Sequence, residues 1–531
     1  MVSGMAREPG SSGSVDDLVS ASPSLADLVK EATPEACSGL FRRIRTVLAS
    51  LGHAECEDEV ALLRVLESVL ESGGPQELWL ALAVLTGELP DSTTFVHTLR
   101  TSRLDGSLQA LADALLLSGQ LKAESWPDVE VVTDRVVVDL HHTSQTEVTT
   151  GIQRVARETA RRWTADHNVL LVRWTRRFRG VRRLIPDEIA WALEGPTPLS
   201  VTERLAKAAL AAKDASNAPI ATEGTLVPWR CTLLVPELPA EREQALRYQA
   251  MAMYSGSRTG VIGYDLVPIM SSETSADGMA EGFALYLAAA AHFDRLAAIS
   301  EAAATEYNGW RSMLAGSARS GPQVRAISLT VDAHVPSDES MSEARDFMTI
   351  GSLPMILAVG SHEPRKNHMA VLHAAEILWR EGLEFSLTFV GGHSWKGEDF
   401  TAQVQVLQSA YRPVQTIRAL SDDLLWAAYR VAYFTVFVST HEGFGLPIAE
   451  SLASGTPVVT SKFGSMLEIA NRGGSIAVNP ADDNAIAEAF RDLLQEKSLR
   501  DRLADEAARL QWRSWDDYAR ETWEFLVNES R

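Results

Sequence analysis

Cysteine is nearly missing from this chain. Three occur in 531 residues, Cys37, Cys56 and Cys231, and none lies in a CxxC or other metal-ligand spacing, which excludes a disulfide framework or zinc module and suits a reducing cytoplasm. An excess of positive charge is missing too. The formal net charge of −21 and a pI near 5.1 argue against broad nucleic-acid or anionic-membrane binding and leave only local basic patches. Long apolar runs are also lacking. The opening MVSGMAREPGSSGS has no apolar core, and the Ala-rich run Leu285 to Ala291 is soon broken by His292, Asp294 and Arg295, so neither a signal peptide nor a transmembrane helix is expected. What the chain has is 46% hydrophobic residues over a length sufficient for two or three domains.

Residues 1–23 are rich in Ser, Gly and Pro and read as a flexible tail. Over 24–123 apolar residues recur at helical spacing, as in Leu40, Ile44, Val47 and Leu48, then Leu63, Leu66 and Leu70. This predicts a helical accessory domain, a docking place for a protein partner; His53, Cys56 and Glu57 match no metal motif. From Arg135 to Leu140 a buried strand starts a regime of alternating strands and helices, the pattern of a doubly wound sheet. The polar loop 141–150 leads to a helix opening at Gly151, with Thr149 or Thr150 as N-cap. After the strand Val169 to Trp174 come Arg176, Arg177, Arg179, Arg182 and Arg183, either a solvated hairpin or a patch for an acceptor phosphate or membrane surface. Residues 206–225 read as a surface insertion. TGVIGYDLV, residues 259–267, reads as a strand that brings Asp265 to the carboxyl end of a sheet. The boundaries are then 131–335 for a first Rossmann-like domain and 350–513 for a second. A last helix at 514–531 has Ser514 and Asp517 as a capping box and an aromatic stripe suited to packing across both domains.

Two turns in the second domain carry the chemistry. Phe434 to Thr460 reads as a strand, a glycine turn containing Glu442, Gly443, Phe444 and Gly445, a helix with Pro447 in its first turn and Glu450 further along, then another strand. A helix start offers unpaired N–H groups to phosphate, and acidic residues suit sugar hydroxyls; a purely structural turn has the same spacing. Earlier, Gly360, Ser361, His362, Glu363, Pro364, Arg365, Lys366 and Asn367 follow the strand Met355 to Val359. Arg365 as a fork and Lys366 as a point charge suit a diphosphate, the alternative being a solvated pair of cations at a helix start. Charge-assisted hydrogen bonds contribute about 1.5 to 3 kcal/mol each, against about 0.3 to 1 for an exposed helix terminus, so the cations should dominate phosphate affinity.

The runs VGSHEPRKN, ALSDDLLWAAYRVA, EGFGLPIAE, SGTPVVTSKFGSMLE and RSW resemble the retaining family-four glycosyltransferases of GT-B fold. TGIQRVARE, YDLVP and DRLAAIS resemble a bacterial subgroup of mannosyl- and rhamnosyltransferases that build surface glycans. The likeness runs from about Arg135 to the C-terminus. It implies an α/β GT-B fold, two Rossmann-like domains facing a cleft, preceded by the helical extension. It implies an enzyme that moves a hexose or deoxyhexose, mannose favoured, from a nucleotide-diphosphate sugar, GDP-linked favoured, to a glycan, lipid-linked or other hydroxyl acceptor. By position, Glu450 binds the ribose, Arg365 and Lys366 the diphosphate beside Gly360, and Glu442 with the backbone of Phe444, Gly445 and Leu446 the sugar and phosphate. Gly151 brings an N–H from across the cleft. Asp265 orients a hydroxyl, so Asp265, Glu442, Arg365 and Lys366 form the catalytic set. Tyr264 stands where relatives have histidine, which puts a histidine-based role in doubt. No Asp-x-Asp ends a strand, so neither a metal nor another cofactor is expected. Nucleic acid is not an expected partner, and the expected place is the cytoplasm or the inner face of a membrane. Two other readings are an epimerase or hydrolase of the same architecture, and a non-catalytic scaffold.

Overall fold

The computed structural model describes residues 23–54, 58–123, 125–146, 150–195, 224–239, 241–392, 394–418 and 420–528. The expected tail up to residue 22, Cys56 and Glu57, Thr149 and residues 206–223 of the expected insertion lie outside the described residues. The chain divides into two compact units, one of residues 1–131 and 219–227, the other of 132–218 and 228–531.

The first unit is helical because its apolar residues repeat at the period of a helix and its polar residues sit at the helix starts. Helices Pro34–Ser50, Glu59–Ser72, Ser92–Asp105 and Ser107–Ser118 surround Pro75–Thr86, which is buried from Leu78 to Thr86. Thr33, Asp58 and Asp91 cap the first three through their side chains. Arg43 is buried here, donating to the carbonyls of Leu85 and Pro127 at 3.0 Å each and lying 4.7 Å over the Trp126 ring.

The second unit holds two α/β halves. In the first, the strands run in the order Val181–Arg183, Val169–Trp174, Val136–Asp139, Thr232–Val235, Arg258–Gly263, Arg295–Ala298, Gln323–Ala326. All are parallel except Val181–Arg183, which turns back on Val169–Trp174. The arginine run is therefore a hairpin, and Arg182 is bound to Glu188 at 2.7 Å. In the second half a six-stranded parallel sheet runs Val414–Ile417, Ser386–Val390, Met355–Val359, Phe434–Phe437, Val458–Ser461, Ser475–Val478. Its order reverses between Met355–Val359 and Phe434–Phe437, and that is where a crevice opens at the carboxyl ends of a doubly wound sheet. Both candidate turns leave these two strands. Helix Asp338–Met348 packs with Asp422–Val431 against the face of this sheet that contains Leu357 and Val390.

Two details differ from the sequence reading. The strand expected to end at Tyr264 and Asp265 closes at Gly263, because Asp265 accepts the Val267 N–H at 3.1 Å and a short helix, Val267–Met270, begins there with Pro268 in its first turn. Helix Trp515–Trp523, in turn, packs on Gly151–Asp166 of the first half. Trp163 donates to the Ala519 carbonyl at 3.0 Å and meets Trp523 edge to face, while His167 stacks on Trp523 at 3.8 Å. No described helix is long and apolar enough to cross a membrane.

Trp163 is 1% exposed. Trp163→Ala is expected to lower unfolding free energy by about 3 to 5 kcal/mol, read by guanidinium denaturation of the full chain.

Candidate functional site

The turn after Met355–Val359 is short and closely packed. Gly391 must be glycine here, since a Cβ on it would stand 1.9 Å from the Gly360 carbonyl oxygen. A single 3-10 turn, Pro364–Lys366, follows, and Asn367 adopts a left-handed conformation, its side chain donating to the carbonyls of Val438 and Pro480 at 3.2 and 2.7 Å. This pins the turn to the neighbouring strand end and directs Arg365 and Lys366 into the crevice. Gly360 lies beside them, 3.4 Å separating its hypothetical Cβ from the Lys366 stem.

The structure brings both cations onto Glu442. Arg365 Nη1 lies 2.7 Å from Glu442 Oε2, and Lys366 Nζ lies 2.7 Å from Glu442 Oε1. Arg365 also reaches Glu363 Oε1 at 2.6 Å and donates to the His441 carbonyl at 2.7 Å. Lys366 Nζ sits 5.0 Å from the Phe437 ring centroid. Burial alone pushes the Glu442 carboxyl up, but Arg365 and Lys366 hold it down at about 2. Burial works against the Arg365 charge as well, and Glu442 with Glu363 keeps its pKa raised nonetheless. The picture of two solvated cations at a helix start does not hold.

Beyond Glu442 the chain passes Gly443 and buried Phe444 to Gly445, left-handed at φ 102°, which starts helix Leu446–Ala453. Across the cleft Gly151 starts its own helix, with Thr150 and Gln153 as a capping box. A Cβ on Gly151 would stand 3.8 Å from Leu446 Cδ1, so two helix N-termini lie close together, and a helix N-terminus favours an anion. Glu450 is buried with both oxygens engaged, by Arg154 at 2.5 Å and by the Tyr429 hydroxyl at 2.8 Å. It is not in the Arg365 cluster.

Asp265 stands against Gly443: a Cβ on Gly443 would lie 3.0 Å from Asp265 Oδ2 and 2.8 Å from the Tyr264 carbonyl oxygen. Burial, assisted by Glu442 and opposed by Arg365, raises the Asp265 pKa. Tyr264 is buried, its hydroxyl donating to the carbonyls of Pro236 and Ile152 at 2.6 and 3.2 Å. The same wall is tied to the second half by Ser300, which donates to the Gly443 carbonyl at 2.6 Å, and by Glu468, which accepts the N–H groups of Glu301 and Ala302 at 3.2 and 2.5 Å. Trp395 and Lys396 reach the carbonyls of Thr274, Glu273 and Ser275.

Five residues were given no role from the sequence: Glu363, Arg154, Tyr429, and His441 with Glu306, 2.6 Å apart. Arg154 was within reach, since it lies three residues after Gly151 in TGIQRVARE, on the same face of that helix.

The architecture is that of the GT-B class. HepE of Anabaena, solved in complex with UDP and glucose, superposes with a TM-score of 0.52 at 14% identity over 75% of this chain and 100% of its own. Residues 343–510 match the family model for glycosyl transferases group 1, and this part of the protein is a glycosyl transferase group 1 domain. The serotype-specific mannosyltransferase WbdA of Escherichia coli is 26% identical over 64% of this chain and 39% of its own. The O-antigen chain mannosyltransferase B of Escherichia coli is 32% identical over 27% of this chain and 38% of its own. The chain thus spans about two-fifths of the length of these relatives, 39% and 38% respectively.

The folded pKa of Glu442 lies below its ordinary 4.5, so its contribution to stability is present above about pH 4.5 and is lost as pH falls through about 2. Tm is expected to drop over that window, and Glu442→Gln should flatten the drop while lowering Tm at neutral pH. Thermal melts of both proteins across pH check this.

Proposed function

We propose that the protein is a retaining glycosyltransferase that moves a hexose, mannose favoured, from a GDP-linked sugar to a hydroxyl of a glycan or lipid-linked acceptor. The observation that carries the reading is the buried Arg365–Glu442–Lys366 cluster at the carboxyl ends of the central strands of a group 1 domain, with the Gly151 helix start beside Leu446. The mannosyltransferase relatives favour the sugar.

In the proposed step the acceptor oxygen bonds to the anomeric carbon on the face from which the diphosphate departs. The electrons of the broken carbon–oxygen bond pass to the diphosphate, which takes the acceptor proton. Arg365, Lys366 and the helix start at Leu446 stabilise the charge that develops there. Glu442 and Asp265 orient sugar and acceptor hydroxyls, and Glu450 faces the ribose once Arg154 yields one of its oxygens. The two cations provide the positive charge, so we propose transfer without a metal or other cofactor.

Five measurements test the reading. GDP should raise Tm more than UDP, ADP or dTDP. Incubation with GDP-mannose should give sugar transfer only with acceptor present; turnover of donor alone would support an epimerase or hydrolase instead. Lys366→Met, which keeps the side-chain stem, should lower kcat/KM by about 10²- to 10³-fold with a native circular dichroism spectrum. Arg365→Ala leaves Glu363 and Glu442 short of a partner and should also lose about 3 to 5 kcal/mol of stability, so its rate is read below its own Tm. Addition of EDTA should leave the rate unchanged, and loss of transfer that Mg²⁺ restores would overturn the metal-free reading.

A further inference from the structure

His441 opens the turn that carries Glu442, yet the proposed transfer step makes no use of its ring. The ring leaves the second half and meets the first. Its Nε2 lies 2.6 Å from Glu306 Oε1 on helix Glu301–Ala315, and its Nδ1 lies 3.3 Å from Ser271 Oγ, at the end of helix Val267–Met270. Glu306 is fixed in turn, its other oxygen accepting the Leu266 N–H at 3.0 Å. The carbonyl oxygen of the same His441 accepts Arg365 Nη1 at 2.7 Å. One residue therefore ties the acceptor-side wall to the guanidinium in the crevice.

We propose that His441 is a positioning residue for transfer: its imidazolium, paired with Glu306, holds the two halves together, and its own carbonyl oxygen then fixes the Arg365 fork toward the departing diphosphate. This rests on the glycosyl-transfer reading. The charged side chains that face the imidazole are Glu306, Asp265 and Glu442, and the guanidinium of Arg365 lies against its peptide. Burial opposes protonation of the ring, but the three carboxylates raise its pKa above the usual 6.5. The raised pKa favours the charged form of the latch, which loses its charge assistance as pH rises. Closed molecules then become a smaller fraction of the population, and Arg365 loses its fixed acceptor.

The test measures transfer from GDP-mannose between pH about 6 and 9, the range that brackets a raised histidine pKa, for the wild type, His441→Gln and Glu306→Gln. Occupancy of the donor site is read separately as the GDP-induced shift in Tm. The wild type should lose about tenfold in kcat on the alkaline side, as one controlling proton predicts. His441→Gln should start about 10- to 100-fold lower in kcat, a loss typical of misplaced catalytic groups, and show no alkaline limb, while GDP still raises its Tm. Glu306→Gln should shift the limb to lower pH, and it reads the pair from the other side if His441→Gln does not fold. Variants that keep the wild-type profile, with kcat within about threefold as expected for a merely packed residue, overturn the inference and leave the transfer reading standing. A wild type that binds GDP and transfers nothing to any acceptor overturns both.

Discussion

A crevice that excludes water must balance its charges, and the site is built around that constraint. Each ion taken from water costs several kcal/mol unless partners surround it. Here two acids, Glu442 and Glu363, are matched by two bases, Arg365 and Lys366, with Arg365 shared between the acids. A third acid, Asp265, stands next to this balanced group, and its pKa is raised because burial and Glu442 outweigh Arg365. The arrangement keeps both cations oriented with no ligand bound. An entering diphosphate would compete with Glu442 for cations already in place, so little reorganisation is left for the moment when charge develops.

The same balance couples the two halves. The second half supplies both cations and both glutamates, Glu363 from one turn and Glu442 from the other, but the first half closes over them. Gly443 has no side chain because the Tyr264 carbonyl oxygen, Asp265 and Ile299 occupy the space a Cβ would need. The Ser300 hydroxyl and the N–H groups of Glu301 and Ala302 donate hydrogen bonds across the same seam, to the Gly443 carbonyl and to Glu468. Arg154, on the Gly151 helix, takes the Glu450 carboxylate. The two halves therefore meet through groups that also belong to the candidate site, and in the proposed transfer moving one wall changes what the other can hold.

Much of this was legible in the sequence, for physical reasons that differ by element. The helical unit and the alternating halves follow from apolar periodicity, which is local. The cation turn and the glycine turn were legible because each concentrates its chemistry within eight residues or so, a spacing set by strand-to-helix geometry. The strand closes at Gly263, just short of the end expected at Tyr264 and Asp265, because an Asx turn at Asp265 draws the chain out of the ladder. The pairing of Glu450 with Arg154 spans 296 positions, and that of His441 with Glu306 spans 135. No periodicity carries such information; it arises when two sheets are placed face to face.

Tyr264 shows how far a motif can be read. Where a histidine is expected, the tyrosine hydroxyl donates to two backbone carbonyls of its own half, at Pro236 and Ile152, and burial raises its pKa far from neutrality. Such a group neither titrates nor moves in the working pH range. It braces the start of the Gly151 helix against the strand that ends before Pro236, and so fixes the N-terminus of that helix. The imidazole of His441 enters the same region from the opposite wall and brings a titratable cation within the field of Asp265. Position in the chain and position in the cleft are separate variables, and the electrostatics of the site depend on the second.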